Sequence, residues 1–121
     1  MNIKLLYIGK NKSNNIETLI AGYDKKIKQF INFQIHCLKN KNKSSQKYLI
    51  IKSDSETILK NIKKGDYVVL LDERGKNYNS LEFSNFLEGN MINGIKNLTF
   101  IIGGAYGVNN ELKDFAKNKI A

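Results

Sequence analysis

Apolar and polar positions along the chain fall into blocks whose period switches between that of strands and that of helices. Residues 2–9, NIKLLYIG, are a near-continuous apolar run ended by Gly9 and predict a buried strand. The polar stretch KNKSNN follows, with Ser13 or Asn14 as a helix cap. Ile16, Leu19, Ile20, Tyr23, Ile27, Phe30 and Ile31 then recur at helical spacing, with Glu17, Asp24, Lys25 and Lys28 on the other face. Asp24 and Lys28 are an i,i+4 pair in the favourable order. Residues 33–38, FQIHCL, read as a second strand, and KNKNKSSQ as a charged loop.

The stretch YLIIKSDSETILKNIKK admits two readings, one helix throughout or a short apolar piece followed by a helix from about Ser53. Ile58, Leu59 and Ile62 favour a helix in its second half, with KKG as the stop. DYVVLLDE, Asp66 to Glu73, is the clearest strand, apolar on both faces as in a covered parallel sheet, and Gly75 is expected to break it. Asn79 caps the next helix with Glu82 at the capping-box position. Phe83, Phe86, Leu87 and Met91 are expected to form its buried face, and Gly94 to end it. LTFIIGG, Leu98 to Gly104, is the next strand, and Asn109 caps a last helix through Leu112, Phe115 and Ala116.

Strand and helix thus alternate four times, which predicts an α/β fold with a largely parallel sheet and helices on both faces. At 121 residues the chain fits one domain, with no internal repeat or domain boundary. Composition narrows the class. Hydrophobic content is 41% and no apolar run approaches a membrane span, so a soluble, cytoplasmic protein is expected. Cys37 is the only cysteine and His36 the only histidine, too few ligands for a zinc site and no basis for an internal disulfide. Adjacent on a strand, they also point to opposite faces. The net charge of +9, carried by lysines such as Lys25, Lys26 and Lys28 or Lys60, Lys63 and Lys64, makes nucleic acid the first partner to expect. A Lys-, Asn- and Ile-rich composition alone also produces such a bias.

In open α/β sheets ligands gather beyond the carboxyl ends of the strands. Two such ends stand out, LLDERGK at Leu70 to Lys76 and IIGGAYG at Ile101 to Gly107. Gly103, Gly104 and Gly107 let a ligand approach the backbone, and equally serve as a tight structural turn. Their spacing is not G-x-G-x-x-G, and they follow the last recognisable strand rather than the first, which argues against a dinucleotide fold. Asp72 and Glu73 are candidate acid–base groups, but Arg74 and Lys76 stand ready to pair with them. No G-x-S-x-G elbow accompanies the single histidine, so Ser/His/Asp chemistry is not expected.

Taken together, NIKLLYIGK, VVLLDERGKNYNSLEFSNFL and FIIGGAYGV resemble the bacterial ribosomal RNA large subunit methyltransferase H family, a member of the SPOUT class of knotted α/β proteins. The resemblance runs over essentially the whole chain, in the same order. It implies methylation of N3 of a pseudouridine in 23S ribosomal RNA on the ribosome, with S-adenosylmethionine as donor, and a homodimer. Carried over by position, the resemblance gives Leu71 and Gly103 backbone contacts to the adenosine end of that cofactor, and gives Gly104 and Gly107 the shaping of the loop. It assigns no metal and no catalytic side chain within this sequence.

The family pattern continues past the position of Ile120–Ala121 with an LS..TLP-like loop that completes the pocket, a long helix and a PYHR-like end, whereas this sequence stops at NKIA. The expectation is therefore a single SPOUT-like domain over residues 1–121 lacking the family's C-terminal strand and helix. Its trefoil knot and dimer interface would be incomplete, its cofactor binding weakened, and Phe115 and Ile120 exposed. Two other functions remain open from the residues themselves, a non-catalytic basic RNA-binding module and a nucleotide- or phosphate-binding α/β protein.

Overall fold

The computed structural model describes residues 1–8, 25, 32–39, 46–104 and 106–120, with the backbone alone for Glu73. The strand stop at Gly9, the cap at Ser13 or Asn14, the helix from Ile16 to Ile31 with its Asp24–Lys28 pair, and most of the Lys/Asn loop lie outside the described residues. Lys25, within that stretch, is helical and exposed.

Five strands form the sheet: β1 (Asn2–Ile8), β2 (Asn32–Leu38), β3 (Tyr67–Lys76), β4 (Asn97–Ile102) and β5 (Asn118–Ile120). Every pairing is parallel and the order is β2-β1-β4-β3-β5. Three helices are described between them: α1 (Lys47–Lys60), α2 (Ser80–Ile92) and α3 (Asn110–Phe115). The predicted α/β class with a parallel sheet is what the chain adopts. Strand side chains alternate between two faces. On one, Leu6, Val68, Leu70 and Ile101 pack with Ile58 of α1 and Leu112 of α3. On the other, Ile3, Val69, Leu98 and Phe100 pack against Phe83 and Leu87 of α2. The sides follow from right-handed crossovers, since β3→β4 runs across the sheet in the direction opposite to β2→β3 and β4→β5.

Register is fixed at the amino ends of three strands by an asparagine ladder. Asn32 Nδ2 donates to Asn2 Oδ1 at 2.7 Å, and Asn2 Nδ2 to Asn97 Oδ1 at 3.2 Å. The three residues are Cα partners in the sheet, so a slip of one strand would break the ladder.

Local signals set several boundaries as the sequence predicts. Asn79 Oδ1 accepts from Glu82 N at 2.8 Å while Glu82 Oε1 accepts from Asn79 N at 3.4 Å, a closed capping box. Gly94, at φ +79°, takes the left-handed position just after α2 and donates its N–H to Met91 O. Asn109 Oδ1 accepts from Leu112 N at 2.9 Å and caps α3.

Elsewhere the structure corrects the sequence reading. Of the two readings of YLIIKSDSETILKNIKK the structure takes the single helix, α1 running from Lys47 without a break at Ser53, but it stops at Lys60 and leaves Ile62 to pack on the core from outside it. Asp66 is not the first residue of β3: its carboxylate accepts from Lys63 N at 2.9 Å and closes the turn that enters the strand. Met91 is 52% exposed, and the fourth position of the α2 stripe is Asn90, whose Nδ2 donates to Phe86 O. Positions 83, 86, 87 and 90 share one helical face, whereas 91 lies at its margin. Gly75 does not break β3, which continues to Lys76 through a bulge after Leu71. The last residues also form a strand that the sequence reading missed. β5 pairs with β3, Lys117 N donates to Val68 O at 2.8 Å, and Asn118 Nδ2 donates to Tyr67 Oη at 2.6 Å. Ile120 is consequently 4% exposed, not solvated as expected, while Phe115 does stand in solvent.

Candidate functional site

β3 and β4 are neighbours, and their pairing ends where Leu71 is the Cα partner of Ile102, the last residue of β4. Immediately beyond, Gly103 and Gly104 leave the sheet and the chain turns back, with Gly107 N donating to Gly104 O at 3.0 Å. Two kinds of constraint make this turn glycine-rich. Gly107 has φ +87°, a conformation that other residues adopt only with strain. Gly103 has no room, because a Cβ there would lie 2.8 Å from Val108 Cγ1 and 3.3 Å from the Gly107 carbonyl carbon.

Turn and strand ends enclose a cavity of about 580 Å3, within the usual range for small-molecule sites. Leu71, Gly103, Gly104 and Gly107, the four residues singled out in the sequence, all line it. Its apolar lining comes from Leu70, Leu71, Ile102 and Val108. Its polar lining was foreseen only in Asp72 and Arg74 of β3, which Lys47 from α1, Tyr106 from the turn and Lys113 from α3 join. Tyr106 is 51% exposed, and Lys47 Nζ stands 5.5 Å from its ring centroid, a cation–π contact. The only local signal for Tyr106 was its place between glycines, since its neighbours come from segments distant in sequence.

Asp72 is the acid nearest this cavity, and its partners decide its chemistry. Arg74 Nε donates to Oδ1 at 3.3 Å, Arg74 Nη2 to Oδ2 at 3.1 Å and the Arg74 backbone N–H to Oδ1 at 3.0 Å. The Arg74 side-chain bonds, then its backbone bond, hold the Asp72 carboxyl below the ordinary carboxylate value, with its partial burial opposing them. Asp72 is thus ionised at neutral pH and a weak base, which favours the ion-pair reading over acid–base catalysis. A depressed folded-state pKa contributes stability that is complete above the unfolded value and is lost as pH falls through the folded one. The Tm difference between wild type and Asp72→Asn is therefore expected to be largest near pH 7 and to vanish in strong acid. Because Arg74 is 70% exposed, the pair contributes no more than about 1 kcal/mol. Thermal melts of both proteins from pH 7 down to acid check this.

His36 and Cys37 lie on β2, where His36 Nε2 is 3.2 Å from Gln34 Oε1, two residues along the same face. No group of three metal-ligating side chains is found among the described residues. No described helix is long and apolar enough to cross a membrane.

Behind the turn, α1 presents two polar residues. Asp54 is 2% exposed and lies against Gly104, and Ser55, fully buried, accepts from Asn109 N at 2.9 Å through its Oγ. The sequence reading assigned no role to either.

Comparison with known proteins bears on what such a site does. A family model described as "Predicted SPOUT methyltransferase" matches residues 1–121. The chain is 39% identical over 125 aligned positions to the ribosomal RNA large subunit methyltransferase H of Flavobacterium psychrophilum, covering 97% of this chain and 77% of that one. It is 48% identical over 101 positions to the protein of the same name from Bdellovibrio bacteriovorus, covering 82% of this chain and 64% of that one. The corresponding protein of Dictyoglomus thermophilum is 38% identical, over 93% and 73%.

Proposed function

The chain belongs to the SPOUT methyltransferase family, and from that premise we propose that it methylates ribosomal RNA with S-adenosylmethionine bound at the carboxyl ends of β3 and β4. The specific reaction proposed is transfer to N3 of a pseudouridine in 23S ribosomal RNA. The observation that carries the reading is the meeting of Leu71, where β3 stops pairing with β4, with Gly103, just past the end of β4, on one cavity.

The residues present fit this cofactor. The cavity volume suits a nucleoside with an amino-acid tail, Leu70, Leu71, Ile102 and Val108 give apolar walls to a purine, and Gly103 leaves its backbone open to close approach. When bound, S-adenosylmethionine supplies an electrophilic methyl group on a sulfonium. The N3–H bond breaks as the N–CH3 bond forms, with the proton passing to solvent and the thioether as leaving group, and the part of the cavity lining is to hold and orient. Alignment alone can supply much of the barrier reduction in such a transfer, in keeping with a site of backbone, glycines and a carboxylate locked to Arg74. Lys47, Tyr106 and Lys113 at the cavity offer cations for phosphate and a ring for stacking, the combination used on unpaired RNA. The net charge of +9 supports approach to a ribosomal surface.

The test uses the protein expressed from its complete reading frame. Calorimetry with S-adenosylhomocysteine is expected to show one site per chain, and tritiated methyl transfer is expected on ribosomes lacking the modification but not on modified ones. Absence of both binding and transfer overturns the reading. RNA binding that falls with salt, with no cofactor binding, would instead favour a non-catalytic RNA-binding module.

A further inference from the structure

We propose that α1 is the positioning element of the glycine turn: Asp54 and Ser55 hold Gly103, Gly104 and Tyr106–Asn109 in the shape that admits the cofactor. The proposal rests on the methyltransferase reading and deepens it. Lys47, Asp54, Ser55 and Ile58 fall at i, i+7, i+8 and i+11, so they share one stripe of the helix. Ile58 enters the core, as that stripe should. At 54 and 55 the same stripe carries a carboxylate and a hydroxyl, yet both residues are as buried as core positions.

A buried carboxylate is costly unless donors or cations surround it. Asp54 is engaged in a polar interaction, and the turn is what it abuts. A Cβ on Gly104 would overlap Asp54 Oδ2 and stand 3.3 Å from its Cγ, so position 104 is a glycine because the carboxylate occupies the space of a side chain. One residue along α1, Ser55 Oγ accepts from Asn109 N, and Asn109 in turn caps α3 through Leu112 N. At the start of the helix Lys47 stands over Tyr106. One helix therefore touches the turn at its beginning, near its tip and at its end. Asp54 and Ser55 do not themselves line the cavity. They act through Gly104 and Asn109, which makes them positioning residues. Hydrophobic residues there would fill the volume but would not fix the turn's backbone, because apolar contact is non-directional.

The experiment compares Asp54→Ala, Asp54→Asn, Ser55→Ala, Gly104→Ala and the Asp54→Ala/Gly104→Ala double variant, all at a temperature where each is folded. S-adenosylhomocysteine affinity is read by calorimetry and amide hydrogen exchange by NMR. Asp54→Ala is expected to weaken binding about tenfold, the size of loss that releasing one polar restraint on the turn would give. It is also expected to speed exchange at the Gly107 amide, which is bonded to Gly104 O, while leaving the Phe83 amide of α2 unchanged. Asp54→Asn, which keeps the shape and one acceptor, should recover most of the affinity. Gly104→Ala should cost less in the Asp54→Ala background than alone, because its clash partner is gone. If Asp54→Ala lowers Tm but leaves both cofactor affinity and Gly107 exchange at wild-type values, the proposal fails. Strict additivity of the double variant also overturns it. Should Asp54→Ala not fold, Asp54→Asn and Ser55→Ala carry the same readouts in milder form. Wild-type protein that binds no S-adenosylhomocysteine overturns the methyltransferase reading, and the exchange data still decide whether α1 holds the turn.

Discussion

Gly75→Ala is expected to lower stability by about 3 kcal/mol and to free the end of the chain, although alanine is the smallest possible change. The reason is steric. A Cβ at position 75 would lie 2.6 Å from the Lys119 carbonyl carbon, 2.7 Å from Ile120 N and 2.8 Å from Lys119 O. These are backbone atoms of the neighbouring strand and have no rotamer to change. Either the bulge in β3 opens or β5 moves away, and β5 is only three residues long. If it leaves, Ile120 leaves the cluster formed with Val69, Leu98 and Phe100, at a cost of about 1.5–3 kcal/mol for one buried aliphatic side chain. Overpacking strain adds about 1–3 kcal/mol where the strand does not move. A loss of that size corresponds to a Tm drop on the order of 10 °C for a domain of this length. Thermal melts measure it, and faster exchange of the Lys117 amide, which bonds Val68 O, localises it. Gly89→Ala serves as the control: a Cβ there meets nothing within 4 Å. Lying inside α2, it should gain about 0.5–1 kcal/mol from helix propensity. Equal melts for Gly75→Ala and wild type would show that β5 is not held against the bulge.

The contrast between these two glycines marks where the sequence was legible. Signals that act within a few residues were readable: the capping pair Asn79 and Glu82, the cap at Asn109, Gly94 after α2, and the apolar run of β3 that requires cover on both faces. That the strand ends LLDERGK and IIGGAYG lie on one side was readable too, because parallel strands in crossover order bring their carboxyl ends together, whereas Leu71 itself came only from the family resemblance. What escaped depends on contacts between distant segments. Gly75 read as a strand breaker because nothing nearby announces Lys119. NKI read as a chain end because three residues with one apolar side chain carry no period. Asp54 and Ser55 went unmarked because polarity reports a residue's own preference, not the partner that awaits it. Asp54 is buried by the turn fifty residues later and Ser55 by Asn109. Tyr106 likewise gained meaning only when Lys47, from another crossover, came to stand over its ring. Met91 shows the smaller failure, where hydrophobicity was followed in place of angle and Asn90 held the inward position.

Gly103→Val is expected to reduce affinity for S-adenosylhomocysteine by about a hundredfold while leaving a folded protein. Position 103 differs from 75 in what surrounds it. The first atom a Cβ meets is Val108 Cγ1, a side chain that lines the cavity, and only then the Gly107 backbone at 3.3 Å. Val108 is β-branched and stiff at χ1, so it gives way only by shifting with the turn. The strain is therefore directed into the turn of Gly103, Gly104, Gly107 and Val108 and not into β4, whose pairing with β3 ends at Ile102. The added methyl groups also take up space beside the strand end where the ligand's backbone contacts are proposed. Loss of affinity should accordingly exceed loss of stability. Melting and calorimetry on the same sample separate the two. If the affinity loss does exceed the stability loss, residual methyl transfer at saturating cofactor tells how far the turn also orients the donor: a raised KM for cofactor with unchanged kcat means that Gly103 only admits the ligand, whereas a fall in kcat means that the turn sets the alignment on which transfer depends. A variant that binds S-adenosylhomocysteine as tightly as wild type would remove Gly103 from the site.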